Sequence, residues 1–159
     1  MNAPKNILVP TDFGAAADTA LRYARALAHA FGSTLHVMHV RENTFLRATA
    51  ADPRDLHDAV FNNLQQLLTD EDRRVLRGRA VVETSDRPAE AIVEYARTAA
   101  IDWIVMGTRG RTGVNRALMG SVAERVVRTS TCPVLTVRHP EREFLLPDVG
   151  GADQASPDR

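Results

Sequence analysis

The segment WIVMGTRGRTGVNRALMGSVAERVVR, residues 103–128, passes from an apolar run through a glycine-rich region into an amphipathic run. We predict a strand at Ile101–Met106 and a helix at Val122–Arg128, because short apolar runs and three-to-four-residue repeats are typical of these elements. Glycine recurs between them, at Gly107, Gly110, Gly113 and Gly120. A glycine-containing loop between a strand and a helix start can turn backbone N–H groups towards a phosphate. The segment therefore indicates an α/β fold with a possible anion site.

The rest of the chain alternates short apolar runs with longer helical patterns. Further strands are predicted at Asn6–Pro10, Leu35–Val40, Ala80–Glu83 and Pro133–Val137. Helices are predicted at Ala15–Phe31 with Gly32 as its C-cap, from about Pro53 to Leu76, and from Pro88 onward. Short strands separated by helices are typical of parallel βαβ crossovers. The predicted fold class is α/β: a single-domain, open five-stranded parallel sheet, Rossmann-like, with helices on both faces.

Length and charge narrow the functional classes. The 159 residues suit one domain at 1–138, followed by a mostly mobile tail at 139–159 that is rich in Pro, Gly and Asp. Twenty basic and twenty acidic residues cancel, so we predict no nucleic-acid partner and no membrane partner. No apolar run approaches the roughly 18 residues of a spanning helix. We therefore expect a cytoplasmic protein.

Single residues exclude several familiar sites. Lys5 is the only lysine, so the G-K-[ST] step of a P-loop is missing. Residues 10–14, after the first strand, lack G-x-G-x-x-G, which disfavours NAD binding. Cys132 is the only cysteine, which prevents an intrachain disulfide and favours a small buried residue over a reactive thiol. His36 and His39 are three apart on a strand, so they point to opposite faces and are predicted to be structural.

Candidate ligand-binding residues follow two of the predicted strands. Strand 1 ends in Pro10-Thr11-Asp12 and strand 4 ends in Met106-Gly107. If the two strands are neighbours, both ends open onto the crevice where open parallel sheets bind ligands. Ser121 and Glu124 predict a capping box, which places a helix start and its positive dipole end near Ser121. Two alternatives stay open: Asp12 as N-cap of the first helix, and Ser121 as an N-cap alone.

Segments 104–113, 120–126 and 132–135, together with Ile7–Phe13, resemble the universal stress protein family over residues 4–138. The resemblance implies sheet order 3-2-1-4-5, which makes strands 1 and 4 neighbours. It also implies that the G-x2-G-x9-G-S spacing binds ATP, since members without the glycines are described as not binding it. The implied nucleotide-binding residues are Pro10, Thr11, Asp12, Val40, Met106, Gly107, Arg109, Gly110, Gly120, Ser121 and Val122.

The resemblance also implies a role for each part of this set. Asp12 lies by the ribose and phosphates, or holds Mg²⁺ or Mn²⁺ indirectly through the phosphates. Val40 contacts adenine through its backbone, with an ordinary core valine as the alternative. Gly107 and Gly110 contact ribose and phosphate, while Gly120, Ser121 and the N–H of Val122 cradle phosphate. Arg109, Arg111 and Arg116 are either phosphate ligands or solvated loop arginines.

The predicted function is that of an ATP-binding regulatory or stress-response homodimer with at most slow hydrolysis, and no catalytic residue is assigned. Strand 5, at Pro133–Val137, is last in the sheet and presents an open edge for a second copy of the chain. Two alternatives stay open. One is a dimeric stress scaffold whose nucleotide site is unused, and the other is an enzyme that hydrolyses ATP or adenylates a substrate.

Overall fold

A computed structural model describes residues 3–43, 52–108 and 119–139. Its strands are β1 (Asn6–Pro10), β2 (Thr34–Arg41), β3 (Arg79–Thr84), β4 (Trp103–Gly107) and β5 (Val134–Val137). The helices in these ranges are α1 (Ala15–Phe31), α2 (Pro53–Leu67), α3 (Asp70–Val75), α4 (Pro88–Thr98) and α5 (Ser121–Thr129). All strand pairs are parallel, in the order β3-β2-β1-β4-β5. The predicted fold class and strand order are confirmed.

Helices cover both faces of the sheet, because successive strand residues alternate between two apolar clusters. On one face, α1 and α2 pack over the odd-numbered strand residues Ile7, Val9, Leu35, Val37 and Val105. On the other face, α4 and α5 pack over the even-numbered residues Leu8, Met38, Ile104 and Met106. Near-continuous apolar strands are the pattern expected of a parallel sheet that is buried on both sides.

Helix α1 has the bounds predicted for it. Its buried side consists mainly of alanines that allow close approach to β1 and β4, namely Ala17, Ala20, Ala24 and Ala28, with Leu21. Gly32 ends the helix in the left-handed region at φ 66°, and its N–H donates to Ala28 O, as a C-cap glycine does. Phe31, the last residue of the helix, is 43% exposed and meets Trp103 edge-on.

The predicted single helix from Pro53 to Leu76 is wrong, because two helices meet at Leu68 and Thr69. Thr69 caps α3: its hydroxyl accepts from the N–H of Asp72, and the Asp72 carboxylate accepts from the N–H of Thr69. Arg25 of α1 donates to the same buried carboxylate at 2.8 Å and to Leu67 O at 2.6 Å. This capping box and ion pair stabilise the break, although the hydrophobic periodicity runs through it.

No helix within the described ranges has both the length and the apolar character that crossing a bilayer requires. His139, the first residue of the predicted tail, lies 3.0 Å from the Thr19 hydroxyl through Nδ1. The remaining residues of the predicted tail, including the apolar cluster at Phe144–Leu146, fall outside the described ranges.

Candidate functional site

The candidate residues meet at the carboxyl ends of the strands, where β1 and β4 stop pairing. The β1–β2 register continues to Pro10↔Met38, and the N–H of Thr11 then donates to Met38 O. The β1–β4 register ends earlier, at Leu8↔Ile104. The helix after β1 packs on one face, and the helix after β4 packs on the other. This reversal is the topological switch point at which open α/β sheets bind ligands.

The loop between β1 and α1 contains Asp12. The hydroxyl of Thr11 accepts from the N–H of Phe13 at 3.0 Å, and Asp12 Oδ1 accepts from the N–H of Gly14 at 2.9 Å. The N-cap of α1 is Gly14, which has no side chain to cap with. The alternative that Asp12 is the N-cap is therefore wrong. Its carboxylate, half-buried, stabilises the turn before the helix instead.

Gly107 lies at the end of β4 against the first turn of α1. A Cβ at this position would lie 2.8 Å from the backbone carbon and the Cβ of Ala16. The missing side chain is therefore explained by packing alone, whatever binds nearby. The role of Gly107 in contacting ribose or phosphate remains a prediction.

The two ends of the glycine-rich segment are joined by a backbone hydrogen bond. The N–H of Gly120 donates to Thr108 O at 2.7 Å, and the N–H of Thr108 donates to Val137 O of β5 at 2.8 Å. Gly120 and Ser121 are thereby held at the carboxyl ends of β4 and β5. The amide of Gly120 is already used, which leaves the amides of the following residues to meet an anion. Arg109 and Gly110 lie outside the described residues, as do Arg111, Gly113 and Arg116.

Helix α5 begins at Ser121, as predicted, but the predicted capping box is wrong. Gly120 is the N-cap, and within the described residues no side chain caps this helix start. Ser121 therefore lies inside the first turn, and its side chain is exposed. Glu124 forms an ion pair with Arg128 at 3.1 Å, one turn further along the helix.

The side chains of Val40 and Met106 pack in the protein interior. Met106 is 5% exposed and belongs to the apolar cluster under α4 and α5, and half-buried Val40 packs against the same cluster. The alternative of a core side chain thus holds for Val40, and it is compatible with a backbone contact to adenine. Pro10 and Val122 are half-buried as well.

The two histidines of β2 lie on opposite faces, as predicted. Nδ1 of His36 lies 2.8 Å from the Tyr95 hydroxyl of α4, and the side chain is buried. Burial, reinforced by the nearby Arg79 guanidinium, lowers the pKa of His36 from 6.5 to about 4. His39 donates from Nδ1 to Thr11 O at 2.8 Å and packs on the ring of Phe13. The sequence carried no signal for the contacts that Phe13, His39 and Thr108 make at this edge of the sheet.

The described residues contain no group of three or more His, Cys, Asp or Glu side chains arranged to hold a metal. A depression of about 640 Å³ lies at the opposite end of the sheet, beside the amino ends of β1 and β2. It is lined in part by Lys5, Phe31, Thr34 and Arg77 and by none of the predicted site residues. The candidate site is therefore defined by strand ends and backbone groups, and not by a cluster of acidic or metal-binding side chains.

Comparison with known proteins supports one family. Universal stress protein MJ0531 of Methanocaldococcus jannaschii is 32% identical over 147 residues, covering 89% of this chain and 86% of that protein. A solved universal stress protein in complex with cAMP superposes with a TM-score of 0.63 at 22% identity, over 86% of this chain and 98% of that one. The universal stress protein of Archaeoglobus fulgidus in complex with dAMP superposes with a TM-score of 0.59 at 22% identity, over 84% of this chain and 97% of that one. The model of the universal stress protein family matches residues 4–138, and the chain belongs to that family.

Proposed function

We propose that this protein binds an adenine nucleotide, ATP foremost, at the carboxyl ends of β1 and β4, and acts as a cytoplasmic, nucleotide-dependent regulator of the stress response. The observation that carries the proposal is the early end of β1–β4 pairing at the switch point, beside a glycine-rich segment closed by the Gly120–Thr108 bond. The solved relatives with cAMP and dAMP support adenine nucleotides as the ligand class.

The phosphates lie at the start of α5. The amides of Ser121 and Val122 occupy its first turn, where the helix dipole places partial positive charge and no described side chain caps the helix. Since the amide of Gly120 is used internally, Gly120 contributes space rather than a donor. Glu124 in the same turn would repel phosphate, but its carboxylate is paired with Arg128. Arg109 and Gly110 remain proposed contacts from the segment outside the described residues.

Asp12 is the residue we propose for the divalent cation. Mg²⁺ in nucleotide sites commonly uses one or two carboxylates, phosphate oxygens and water rather than an all-protein cage. A single aspartate at the strand end fits that arrangement, with Mg²⁺ or Mn²⁺ held chiefly by the phosphates. The ion would neutralise phosphate charge. We assign no general base among residues 3–43, 52–108 and 119–139, and we expect any hydrolysis to be slow.

Adenine lies nearer β2. Val40 and Met106, whose side chains pack in the cluster under α4 and α5, and Pro10 are the proposed backbone contacts of adenine. Thr11, whose N–H and carbonyl are both bonded to β2, borders the proposed site. Gly107 allows β4 and α1 to approach closely at the side of this crevice. Backbone recognition of adenine fits several adenine nucleotides, and the phosphate end then decides among them.

The proposed functional unit is a homodimer formed through β5. This strand is the last in the sheet order, and its Leu135 is 42% exposed. Val127 on the neighbouring α5 is 44% exposed. An unpaired strand edge with exposed apolar side chains is a ready surface for pairing with a second copy. Light scattering at micromolar concentration is expected to give a dimer, and Leu135→Lys a monomer.

Gly120→Val tests the placement of the phosphates. Gly120 has φ −62° and ψ 147°, which any residue adopts, so valine would fill the phosphate space without straining the backbone. We expect calorimetric titration to show ATP binding by the wild type and none by the variant, with similar melting temperatures without ligand. Gly32→Asn is the matched control, because it changes a glycine at the far end of α1 where asparagine tolerates a left-handed φ.

A hundredfold excess of ATP over its Kd is expected to stabilise the wild type by about 3 kcal/mol. A wild type that ignores ATP while remaining dimeric would favour the scaffold alternative. Multiple-turnover hydrolysis that Asp12→Ala abolishes would favour the enzyme alternative. Undiminished ATP binding by Gly120→Val would contradict the placement of the phosphates at the start of α5.

A further inference from the structure

The loop that presents Asp12 contains a residue in an unfavourable backbone conformation. Phe13 has φ 62°, in the left-handed region that residues other than glycine, asparagine and aspartate rarely occupy. Two turns formed by the side chains of Thr11 and Asp12 define the local shape of the loop. These two hydrogen bonds lie within the loop, so they do not determine how it is placed against the sheet.

Strand β2 holds the beginning of this loop through both backbone groups of one residue. The N–H of Thr11 donates to Met38 O at 2.8 Å, continuing the pairing of β1 with β2. The carbonyl of Thr11 accepts from Nδ1 of His39 at 2.8 Å. Thr11 is 8% exposed, and a buried carbonyl without a partner is costly. His39 thus supplies a hydrogen bond that the strand backbone does not.

The same imidazole also contacts the strained residue. The ring centroids of His39 and Phe13 are 4.9 Å apart with 42° between their planes. Phe13 in turn packs against the apolar cluster under α1 and α2. His39 therefore touches the loop on both sides of Asp12, by a hydrogen bond at position 11 and by ring packing at position 13.

We infer that His39 is a positioning residue for nucleotide binding: it holds the Thr11–Gly14 loop in the conformation that presents Asp12 to the ligand. This inference rests on the proposed function. His39 acts through Thr11 and Phe13 and is not assigned a contact with the nucleotide. Because a carbonyl can only accept, Nδ1 carries the proton, and the donor at that position is the feature that matters.

The test compares two amide substitutions at one position. Asparagine places its amide N–H near the position of Nδ1, whereas the longer glutamine side chain carries it towards the position of Nε2. We expect calorimetric titration with ATP to give His39→Asn an affinity within about threefold of wild type. We expect the ATP affinity of His39→Gln and His39→Phe to fall about tenfold, which corresponds to the loss of one hydrogen bond.

His36→Phe is the matched control, since His36 lies three residues away on the same strand but faces α4. It should change the melting temperature and leave ATP affinity unchanged. Amide hydrogen exchange of the free protein gives a readout that needs no ligand. Exchange at Phe13 and Gly14 should quicken in His39→Gln relative to His39→Asn, while the interior of β2 keeps its protection.

The outcomes separate the inference from the proposed function. Equal ATP affinities for wild type, His39→Asn and His39→Gln would overturn the inference and leave the proposed function intact. Equal exchange rates at Phe13 and Gly14 in the two amide variants would overturn it as well. A wild type that binds no ATP would overturn the proposed function itself, whatever the exchange rates.

Discussion

The same residue types do different work in two regions of this molecule. In the interior, defined here by Arg25, His36 and Asp72, His36 and Asp72 are buried, and each has a side-chain partner: Tyr95 for His36, and the partly buried Arg25 for Asp72. The carboxyl edge is defined by Thr11–Gly14, Gly107–Thr108 and Gly120–Ser121. Its described hydrogen bonds each include a backbone group, and Asp12 and Phe13 are half-buried while Ser121 is exposed. Asp72 and His36 affect whether the chain folds, while Asp12 and His39 affect what a folded chain can present.

The contrast implies that interior substitutions change stability and that most substitutions at the carboxyl edge change binding. Burial supports this difference, because Asp72 is 1% exposed and accepts from both Arg25 and Thr69, whereas Asp12 is half-buried. Measured free energies of unfolding of single variants therefore test this difference between the two regions.

The largest expected effect is at Asp72. Asp72→Ala leaves the partly buried Arg25 without its carboxylate and removes one half of the α3 capping box, so unfolding free energy should fall by about 3 to 5 kcal/mol. Urea denaturation measures the loss. Asp72→Asn keeps an acceptor for the N–H of Thr69 and should lose less. A loss below about 1 kcal/mol for Asp72→Ala would contradict the claim that the interior polar groups determine stability.

The next effect is a pH dependence due to His36. Its pKa is lowered from 6.5 to about 4 in the folded protein, so between these values the unfolded chain binds more protons. Stability from this group is complete above pH 6.5 and decreases as pH falls towards 4. The decrease is about 3 kcal/mol. The unfolding free energy is measured as a function of pH for the wild type and for His36→Phe, and the difference between the two curves isolates the contribution of His36. Parallel curves would contradict the prediction.

Gly107 is the residue of the carboxyl edge expected to behave like the interior. Gly107→Ala places a Cβ 2.8 Å from the backbone of Ala16, and the resulting shift should cost about 1 to 3 kcal/mol without any ligand. Thermal denaturation of the free protein measures it. Gly32→Asn, where a Cβ meets nothing within 4 Å, should remain close to wild type. An unchanged Gly107→Ala would mean that the glycine is needed only by a ligand.

The smallest expected effect is at Ser121. Since no described side chain caps α5, Ser121→Ala should change unfolding free energy by less than about 0.5 kcal/mol. Thr69→Ala is the comparison, because its hydroxyl does cap α3, and it should lose about 1 kcal/mol. Denaturant titrations of the two variants suffice. Equal losses would restore the capping role that the S-x-x-E spacing predicted for Ser121.

Hydrophobic patterning predicted the elements well where burial and local chemistry agree. Ala15–Phe31 and Gly32 were placed correctly because an alanine stripe and a C-cap glycine act within one helix. Prediction failed where a distant partner intervened. Arg25, far from α2 in sequence, draws Asp72 and Leu67 to itself, and the helix predicted from Pro53 to Leu76 breaks there. The Ser121–Glu124 spacing failed for a local reason, because Gly120 is the N-cap and Glu124 pairs with Arg128 one turn along the same helix.

By itself the sequence determined the alternation of buried strands and helices, the family resemblance and the exclusion of P-loop and NAD fingerprints, because apolar period and glycine spacing are local properties. The tertiary structure alone decided that Gly107 is needed for packing, that the amide of Gly120 is used by Thr108, and that His39 donates to the carbonyl of Thr11 beside Asp12. Each of these contacts joins a strand or the loop after it to another element at the carboxyl end of the sheet. Sequence spacing does not specify such contacts, whereas parallel pairing and the crossovers bring them together.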